Sequence, residues 1–272
     1  MQFRMAQKGD QRDSVLHFLS EDTLDLAMRF RIQLVRVDPT TILNEGGQVA
    51  GGNGSLLDTE FNDTFNLQTW EAWEWHAFRS SFGPVVTDFW NNRFELTPNR
   101  PWYKHSAGGP AIALKINCGL DIELVESIGQ AHHRYFIIKP TREDYRSWVI
   151  QPQRIAMLTD RDLSPTTSRR PTRVRRGRRV DVSFFQTTVV HEFGHTLGLH
   201  HVRHGGNADD AYGVSLDEQS TVMGRGETTG AGAAQPWIDQ LRRHLIRSPN
   251  EQPVRFRARV VKEQSASHMY ID

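Results

Sequence analysis

The stretch HEFGHTLGLHH, residues 191–201, decides how the fold of this 272-residue chain is interpreted. His191 and His195 are four residues apart, so on a helix they project from one face and can hold a single metal ion. Gly198 can take a positive φ angle, and the chain reversal that this permits would return His201 to the same ion. Three neutral imidazoles and one coordination position left for water are typical of a catalytic rather than a structural zinc site. The sequence therefore predicts a Zn²⁺ centre.

The residues around these histidines include one candidate catalytic group and two alternative ligands. Glu192 follows the first histidine, where its carboxylate can reach a water on the metal without binding the metal, so it is the predicted general base. Five of the 12 histidines lie in this stretch or just after it. His200 and His204 are therefore alternative ligands, although exposed or supporting positions are favoured for both. His132 and His133 carry no ligand spacing, and we expect them at a strand edge.

The extended motif resembles that of the metzincin clan of zinc endopeptidases, H-E-x-x-H-x-x-G-x-x-H followed by a methionine turn. By that resemblance Met223, 22 residues after His201 in STVMGRGE, forms the apolar floor beneath the three imidazoles. In some families of the clan a Tyr two residues after the Met contacts the metal, but this chain has Arg225 there, so we expect no fifth protein ligand. The resemblance is specific over residues 183–246, where PWIDQLRRHLI, residues 236–246, looks like the family's C-terminal helix.

The resemblance also implies a fold class and a division of the chain. The fold is expected to be α+β of metzincin type, with a twisted mixed sheet, a long backing helix, an active-site helix and a small C-terminal part of loops and helix. The expected divisions are an N-terminal extension (1–25), a metalloprotease domain (26–250) with N-terminal (26–201) and C-terminal (202–250) subdomains, and a tail (251–272). Residues 254–261 of that tail alternate apolar side chains with arginine and could add one strand.

The implied activity is zinc-dependent hydrolysis of peptide bonds in a protein or peptide substrate, through a metal-activated water with Glu192 as general base. The substrate is expected to lie extended along an edge strand. The pattern itself assigns no helper donor for the oxyanion, and Arg225 is the candidate. The alternative is a catalytically inactive, metalloprotease-like zinc-binding module that contacts a partner through an arginine-rich segment. The intact Glu192 weighs against this alternative, because a structural site does not need that carboxylate.

That segment, RRPTRVRRGRR, begins at Arg169, ends at Arg179 and contains seven arginines and no acid. We call it the arginine tract. Such a block is predicted to be a solvated, mobile loop. The whole chain has a net charge of only +1, so the remainder of the chain is acidic. The tract could favour acidic substrates or an acidic partner, whereas the lack of interleaved aromatic residues disfavours specific nucleic-acid binding.

The rest of the chain has the pattern of alternating strands and helices. A strand is predicted at residues 26–37, and a flexible loop at 44–65, which is rich in Gly, Asn and Asp. The aromatic segment 70–94 has helical spacing, and Gly83-Pro84 should kink it or split it in two.

Further strands are predicted upstream of the histidine motif, at residues 111–125, 134–139 and 147–158. Pro152 lies in the last of these and makes it an edge candidate. Ser183 and Gln186 have capping-box spacing, which places the start of the metal-binding helix near residues 184–187.

Composition excludes several classes of protein. An apolar content of 38% is ordinary for a globular chain and excludes a mostly disordered one. Cys118 is the only cysteine, so no intrachain disulfide can form, and we expect this thiol to be buried in a strand. No stretch approaches the roughly 20 apolar residues of a membrane span. The N-terminal residues lack the apolar core of a secretory leader, which leaves a cytoplasmic enzyme and an effector exported without a leader as the two settings.

Overall fold

The computed structural model describes residues 2–3, 6–59, 61–101, 103–104, 108–203, 208–246, 254–262 and 268–270. In chain order the strands are Gln2–Phe3 (β1), Ala6–Gln7 (β2), Asp13–Phe18 (β3), Thr23–Arg36 (β4), Ile42–Glu45 (β5), Gln48–Gly51 (β6), Ser55–Asp58 (β7), Asp63–Asn66 (β8), Phe94–Pro98 (β9), Lys115–Leu124 (β10), His133–Ile138 (β11), Trp148–Ile150 (β12), Ile155–Thr159 (β13), Pro165–Arg173 (β14), Arg179–Thr187 (β15), Leu245–Ile246 (β16), Phe256–Val260 (β17) and His268–Tyr270 (β18). The α-helices are Ala72–Trp90 (α1), Thr188–Leu197 (α2), Leu216–Gln219 (α3) and Gln235–His244 (α4).

A nine-stranded mixed sheet with a few helices forms the centre of the molecule, which is compatible with the expected α+β class. Its order is β12-β13-β11-β4-β10-β9-β17, with β3 also paired to β4 and β2 to β3. The long strand β4, predicted at 26–37, is parallel to β10 along its first part and to β11 along its last part. Its alternate side chains are fully buried, as the two-residue period of a strand requires: Leu24, Leu26, Met28, Phe30 and Ile32.

The N-terminal residues contribute to this sheet. Strand β3 pairs antiparallel with the first half of β4, with Leu16 opposite Leu26. Strands β2 and β3 and the first residues of β4 thus pair in the central sheet, although the resemblance implies an N-terminal extension over residues 1–25. The physical reason is the alternation in β3, whose Ser14 and Leu16 are fully buried.

Helix α1 packs against β10 and α2 and supplies much of the aromatic core. It is one continuous helix that contains Pro84, so of the two expected effects of Gly83-Pro84, a kink or a split, the split does not occur. Its buried face continues across the proline, and the Thr87 hydroxyl donates to the Gly83 carbonyl at 2.9 Å. The buried side chains are Phe78, Phe82, Val86, Phe89 and Trp90.

Two predicted segments have a different structure. Residues 44–65 are not a loop, because they lie within a four-stranded antiparallel sheet, β5-β6-β7-β8, whose short strands are separated by tight turns. Residues 147–158 are not one strand, because Pro152 lies in a turn between β12 and β13, which pair antiparallel. The edge position is confirmed for β12, which ends the sheet.

The arginine tract is not a mobile loop. Strands β14 and β15 form a hairpin whose register runs from Pro165 opposite Thr187 to Arg173 opposite Arg179. Buried side chains, among them Thr172, Val182 and Phe184, orient the hairpin while most of its arginines face solvent.

Ser183 and Gln186 also lie in β15, so the predicted capping box is wrong and α2 begins at Thr188. Downstream, α4 and β17 confirm the predicted C-terminal helix and late strand.

Other expectations concern single residues. Cys118 is fully buried in β10, as expected. His133 is not at a sheet edge, because β11 lies between β4 and β13. Its ring bonds to the Gln11 carbonyl at 3.0 Å, and burial lowers its pKa to about 4. His132 is likewise buried. Within the described residues, no helix is long and apolar enough to cross a membrane.

Candidate metal centre

Helix α2, which carries the first two histidines of the motif, follows directly from strand β15 and is almost entirely buried. Its apolar side chains, Val189, Val190, Phe193 and Leu197, belong to the main core. The Trp90 indole of α1 donates to the Val190 carbonyl at 3.1 Å, which ties the two helices together. The helix ends at Gly198, whose φ of +101° is the left-handed conformation that glycine adopts most easily.

The structure brings together the three histidines of the motif. His191, His195 and His201 each offer a ring nitrogen, and these nitrogens all lie within 4.8 Å of one another. The Nε2 atoms of His195 and His201 are 3.1 Å apart. A tetrahedral ion with metal–nitrogen bonds of about 2.0–2.1 Å, the length typical of zinc, separates two ligand nitrogens by about 3.3 Å. The spacing therefore fits a small tetrahedral cation.

Hydrogen bonds to the backbone set the tautomer of two of these rings. The Nδ1 atom of His191 donates to the Val222 carbonyl at 2.7 Å, and Nδ1 of His195 donates to the Leu199 carbonyl at 2.9 Å. A carbonyl oxygen can only accept, so each Nδ1 carries the hydrogen and each Nε2 presents a lone pair. Burial also lowers the pKa of His191 well below its usual value and that of His195 to about 4. Both rings are thus neutral, as metal ligation requires.

The segment around Met223 closes against the same helix. A side-chain carbon at Gly194 would overlap the Met223 sulfur, so the helix backbone and the thioether are in direct contact. Gln186 at the end of β15 fastens this segment, because its side-chain amide donates to the carbonyls of Val222 at 3.0 Å and Gly226 at 3.0 Å. The carbonyl that orients His191 and the methionine beneath α2 are therefore adjacent residues of one anchored turn.

Glu192 lies between the first two histidines and is 6% exposed. Burial, reinforced by the negative charge of Asp162, raises the pKa of Glu192 well above its ordinary value, while Arg146 acts in the opposite direction. Asp162 is itself held by the Thr159 backbone N–H at 2.7 Å and the Ser147 hydroxyl at 2.5 Å. The site therefore contains a carboxylate with an unusually high proton affinity next to the histidines.

Two further residues at the site are not apparent from the sequence motif. The Tyr212 ring centre lies 4.1 Å from that of His201 and 5.8 Å from that of His191. The Arg146 guanidinium donates a hydrogen bond to the Tyr212 hydroxyl at 3.3 Å. Tyr212 belongs to a short 3₁₀ turn and Arg146 to the segment before β12. Neither has a periodic or spacing signal, so only the tertiary structure identifies them.

Among the described residues, the candidate helper donor Arg225 and the alternative ligand His200 are not part of the histidine cluster. Arg225 covers the Tyr212 ring, with its Cζ atom 4.7 Å from the ring centre. His200 is exposed and does not belong to the histidine cluster. His204, the other alternative ligand, lies outside the described residues. A cavity of about 760 Å³ borders the site beside His201 and Met223.

The assembled residues offer a three-nitrogen cation site, a desolvated carboxylate and a phenol supported by a guanidinium. Such a set can bind a divalent ion and move a proton at a water molecule or a polarised carbonyl. Comparison of the chain with protein-family models, with curated proteins and with solved structures gives no match.

Proposed function

We propose that this protein is a zinc-dependent endopeptidase of metzincin type. One observation carries the proposal: Glu192 is buried in the same helix that supplies two of the three convergent imidazoles, and the second nitrogens of two rings are bonded to backbone carbonyls. A purely structural site would need the histidines but not the carboxylate. The fold supports the proposal, since a strand (β4), a long helix (α1) and further strands with an antiparallel edge precede the active-site helix.

His191, His195 and His201 would hold the zinc ion, whose Lewis acidity acidifies water and polarises a peptide carbonyl when it is bound. Glu192 accepts the proton of the attacking water and later donates it to the leaving amine. The high proton affinity that burial gives this carboxylate suits both steps. Met223 and Gly194 supply a close-packed apolar floor that keeps the three rings in place.

Tyr212 and Arg146 are better placed than Arg225 to assist the oxyanion. The Tyr212 hydroxyl is supported by Arg146, and its ring lies against His201. A donor aimed at the developing negative charge stabilises the transition state more than the ground state. Arg225 instead packs on the face of Tyr212 and pairs with Asp209 at 2.9 Å. We therefore assign Arg225 to positioning the tyrosine.

Strand β12, Trp148–Ile150, is the edge along which an extended substrate would align. In the described part of the chain it pairs only with β13, so its other edge is unpaired, and it packs against α2. An extended peptide can add to such an edge through backbone hydrogen bonds. This arrangement delivers a peptide chain, rather than a small molecule, to the metal-binding helix.

The decisive test compares two glutamate-to-glutamine variants with the unmodified protein, all loaded with zinc. Glu192→Gln keeps the shape of the side chain but removes the base, whereas Glu123→Gln changes an exposed carboxylate on β10. We expect casein hydrolysis by the unmodified protein to disappear with a chelator and return with zinc. Glu192→Gln should lose at least about 100-fold in rate, the low end for general base catalysis, with one zinc still bound. Glu123→Gln should keep full activity.

Near-native hydrolysis by Glu192→Gln would contradict the mechanism. Bound zinc with no hydrolysis by the unmodified protein, across a whole-proteome peptide mixture, would favour the inactive zinc-binding module instead. Mass-spectrometric mapping of the cleaved bonds in the same mixture would report the side-chain preference.

A further inference from the structure

A recess of about 360 Å³ lies between the arginine hairpin and the part of the chain that follows the histidine motif. We call it the arginine recess and define it by its charged lining residues: Arg170, Arg173, Arg179, Arg225, Asp209 and Asp210. Four guanidinium groups thus face two carboxylates, so the lining has an excess of positive charge. Such an excess in a concave surface attracts anionic groups.

Most of the positive charge in the recess is uncompensated. Arg225 pairs with Asp209 at 2.9 Å, yet its Nε atom is buried without a hydrogen-bond partner. Within the described residues, the side chains of Arg170, Arg173 and Arg179 make no ion pair. Burial and, next, the positive charge of Arg170 lower the pKa of Arg225, as expected where like charges share a recess. An anion in the recess would relieve this repulsion.

Outside the recess the same hairpin has a different arrangement. Arg169 is neutralised by Asp181 across the two strands at 2.8 Å. Arg175, Arg176 and Arg178 lie at the hairpin turn and do not line the recess. Only part of the tract therefore contributes to the concave surface.

The hairpin is fixed against the part of the chain that follows the histidine motif. The Thr172 hydroxyl donates to the Gln219 side-chain carbonyl at 2.7 Å, and both side chains are buried. Arg173 forms a parallel β-bridge with Ser215. Because the hairpin is held here, its arginines are kept at the recess.

One aromatic ring separates the recess from the metal ligands. The Arg225 Cζ atom is 4.7 Å from the centre of the Tyr212 ring, and that ring is 4.1 Å from His201. An extended peptide advances about 3.4 Å per residue, so a side chain within about three residues of the scissile bond could reach the recess. Arginine forks bind carboxylate and phosphate groups with two parallel hydrogen bonds.

We propose that the arginine recess is a subsite for an anionic side chain of the substrate, within about three residues of the cleaved bond. This inference rests on the proposed peptidase function, because it names the substrate class of the same site. The chemistry required is that of Asp, Glu or a phosphorylated residue.

The test compares two triple variants that remove the same charge from the same hairpin. Arg170→Gln/Arg173→Gln/Arg179→Gln, the recess variant, removes the three hairpin arginines that line the recess. Arg175→Gln/Arg176→Gln/Arg178→Gln, the turn variant, removes the three arginines of the hairpin turn. Binding is measured by fluorescence anisotropy on zinc-loaded Glu192→Gln backgrounds, so that it does not depend on hydrolysis. The probes are labelled (Gly-Glu)₅, (Gly-Gln)₅ and (Gly-phosphoSer)₅ peptides and a labelled single-stranded oligonucleotide. Zinc content and circular dichroism verify that each variant is folded.

We expect (Gly-Glu)₅ to bind at least about 10-fold more tightly than (Gly-Gln)₅, the size of a charge-assisted contact. The recess variant should lose that difference and the turn variant should keep most of it. The (Gly-phosphoSer)₅ arm tells whether carboxylate or phosphate is preferred. Equal weakening by the two triple variants would overturn the subsite, because it would indicate general electrostatic attraction. Tighter, recess-dependent binding of the oligonucleotide would overturn it in favour of nucleic acid.

Cleavage mapping supplies the second readout. The active protein should show enrichment of acidic residues at one fixed position near the cut, and the recess variant should lose only that enrichment. Hydrolysis without any acidic preference would overturn the subsite while leaving the peptidase intact. Acid-selective binding without hydrolysis would overturn the peptidase function and leave the recess as an anion-binding site.

Discussion

Helix α2 and the β14–β15 hairpin are neighbours in the chain but opposite in construction. Eight of the ten residues of α2 are buried, including the metal-binding candidate His191 and the candidate base. In β14 only Thr172 is buried, and the arginines project outward. Positions in the helix are therefore set by packing on all sides, whereas those in the hairpin are set by its strand register. Substitutions should therefore change metal affinity and stability strongly in α2 and weakly in the hairpin.

The largest difference is expected between two histidines of the same short stretch. His195→Ala removes a converging nitrogen, whereas His200→Ala removes an exposed ring five residues farther along the chain. Zinc affinity should fall by well over 100-fold in the first variant, because groups that merely orient ligands are already worth about 10–100-fold. It should be unchanged in the second. Competition with a chromophoric chelator measures both, and similar affinities would show that the cluster is not the metal site.

Alanine substitutions at two helical glycines, Gly194 in α2 and Gly83 in α1, test how tightly the methionine packs beneath α2. A side-chain carbon at Gly194 overlaps the Met223 sulfur, whereas at Gly83 the nearest contact is Ile122 at 4.0 Å. Gly194→Ala should destabilise the zinc-free protein by about 1–3 kcal/mol through overpacking. Gly83→Ala should instead stabilise it by about 0.5–1 kcal/mol, since alanine favours a helix over glycine.

Chemical denaturation at equilibrium gives both values. Stabilisation by both substitutions would mean that the methionine floor yields easily and does not constrain α2.

The contrast between α2 and the hairpin also explains which parts of the structure could be predicted from the sequence. The histidine cluster follows from eleven consecutive residues, since helical spacing and the left-handed Gly198 bring the rings together without information from elsewhere. Strand β4 and the buried Cys118 follow from local apolar patterning. In each case the local signal and the tertiary environment agree.

The residues that were missed depend on distant parts of the chain. Tyr212, Arg146 and Asp162 reach the site from a 3₁₀ turn, an irregular segment and a tight turn, and none has a periodic signal. Strands β5–β8 have four residues each, so the glycines and polar residues of their turns dominate the composition. The arginine tract was misinterpreted for a related reason: charge suggests a solvated loop, but pairing of β14 with β15 and a few buried side chains determine the structure.

The smallest effect is expected for the ion pair on the hairpin, and it tests what holds that hairpin in place. The side chains of Arg169 and Asp181 are 61% and 46% exposed, so water and salt screen their attraction. A double-mutant cycle with Arg169→Ala and Asp181→Ala should give a coupling energy of about 0.2–0.5 kcal/mol that decreases in high salt. A coupling above about 1 kcal/mol would show that charge pairing stabilises the hairpin. The weak coupling is expected because Thr172 and Gln219 already supply a buried anchor between their own side chains. An arginine that contributes little to folding can keep its charge available, and that is the condition under which the arginine recess can bind an anion.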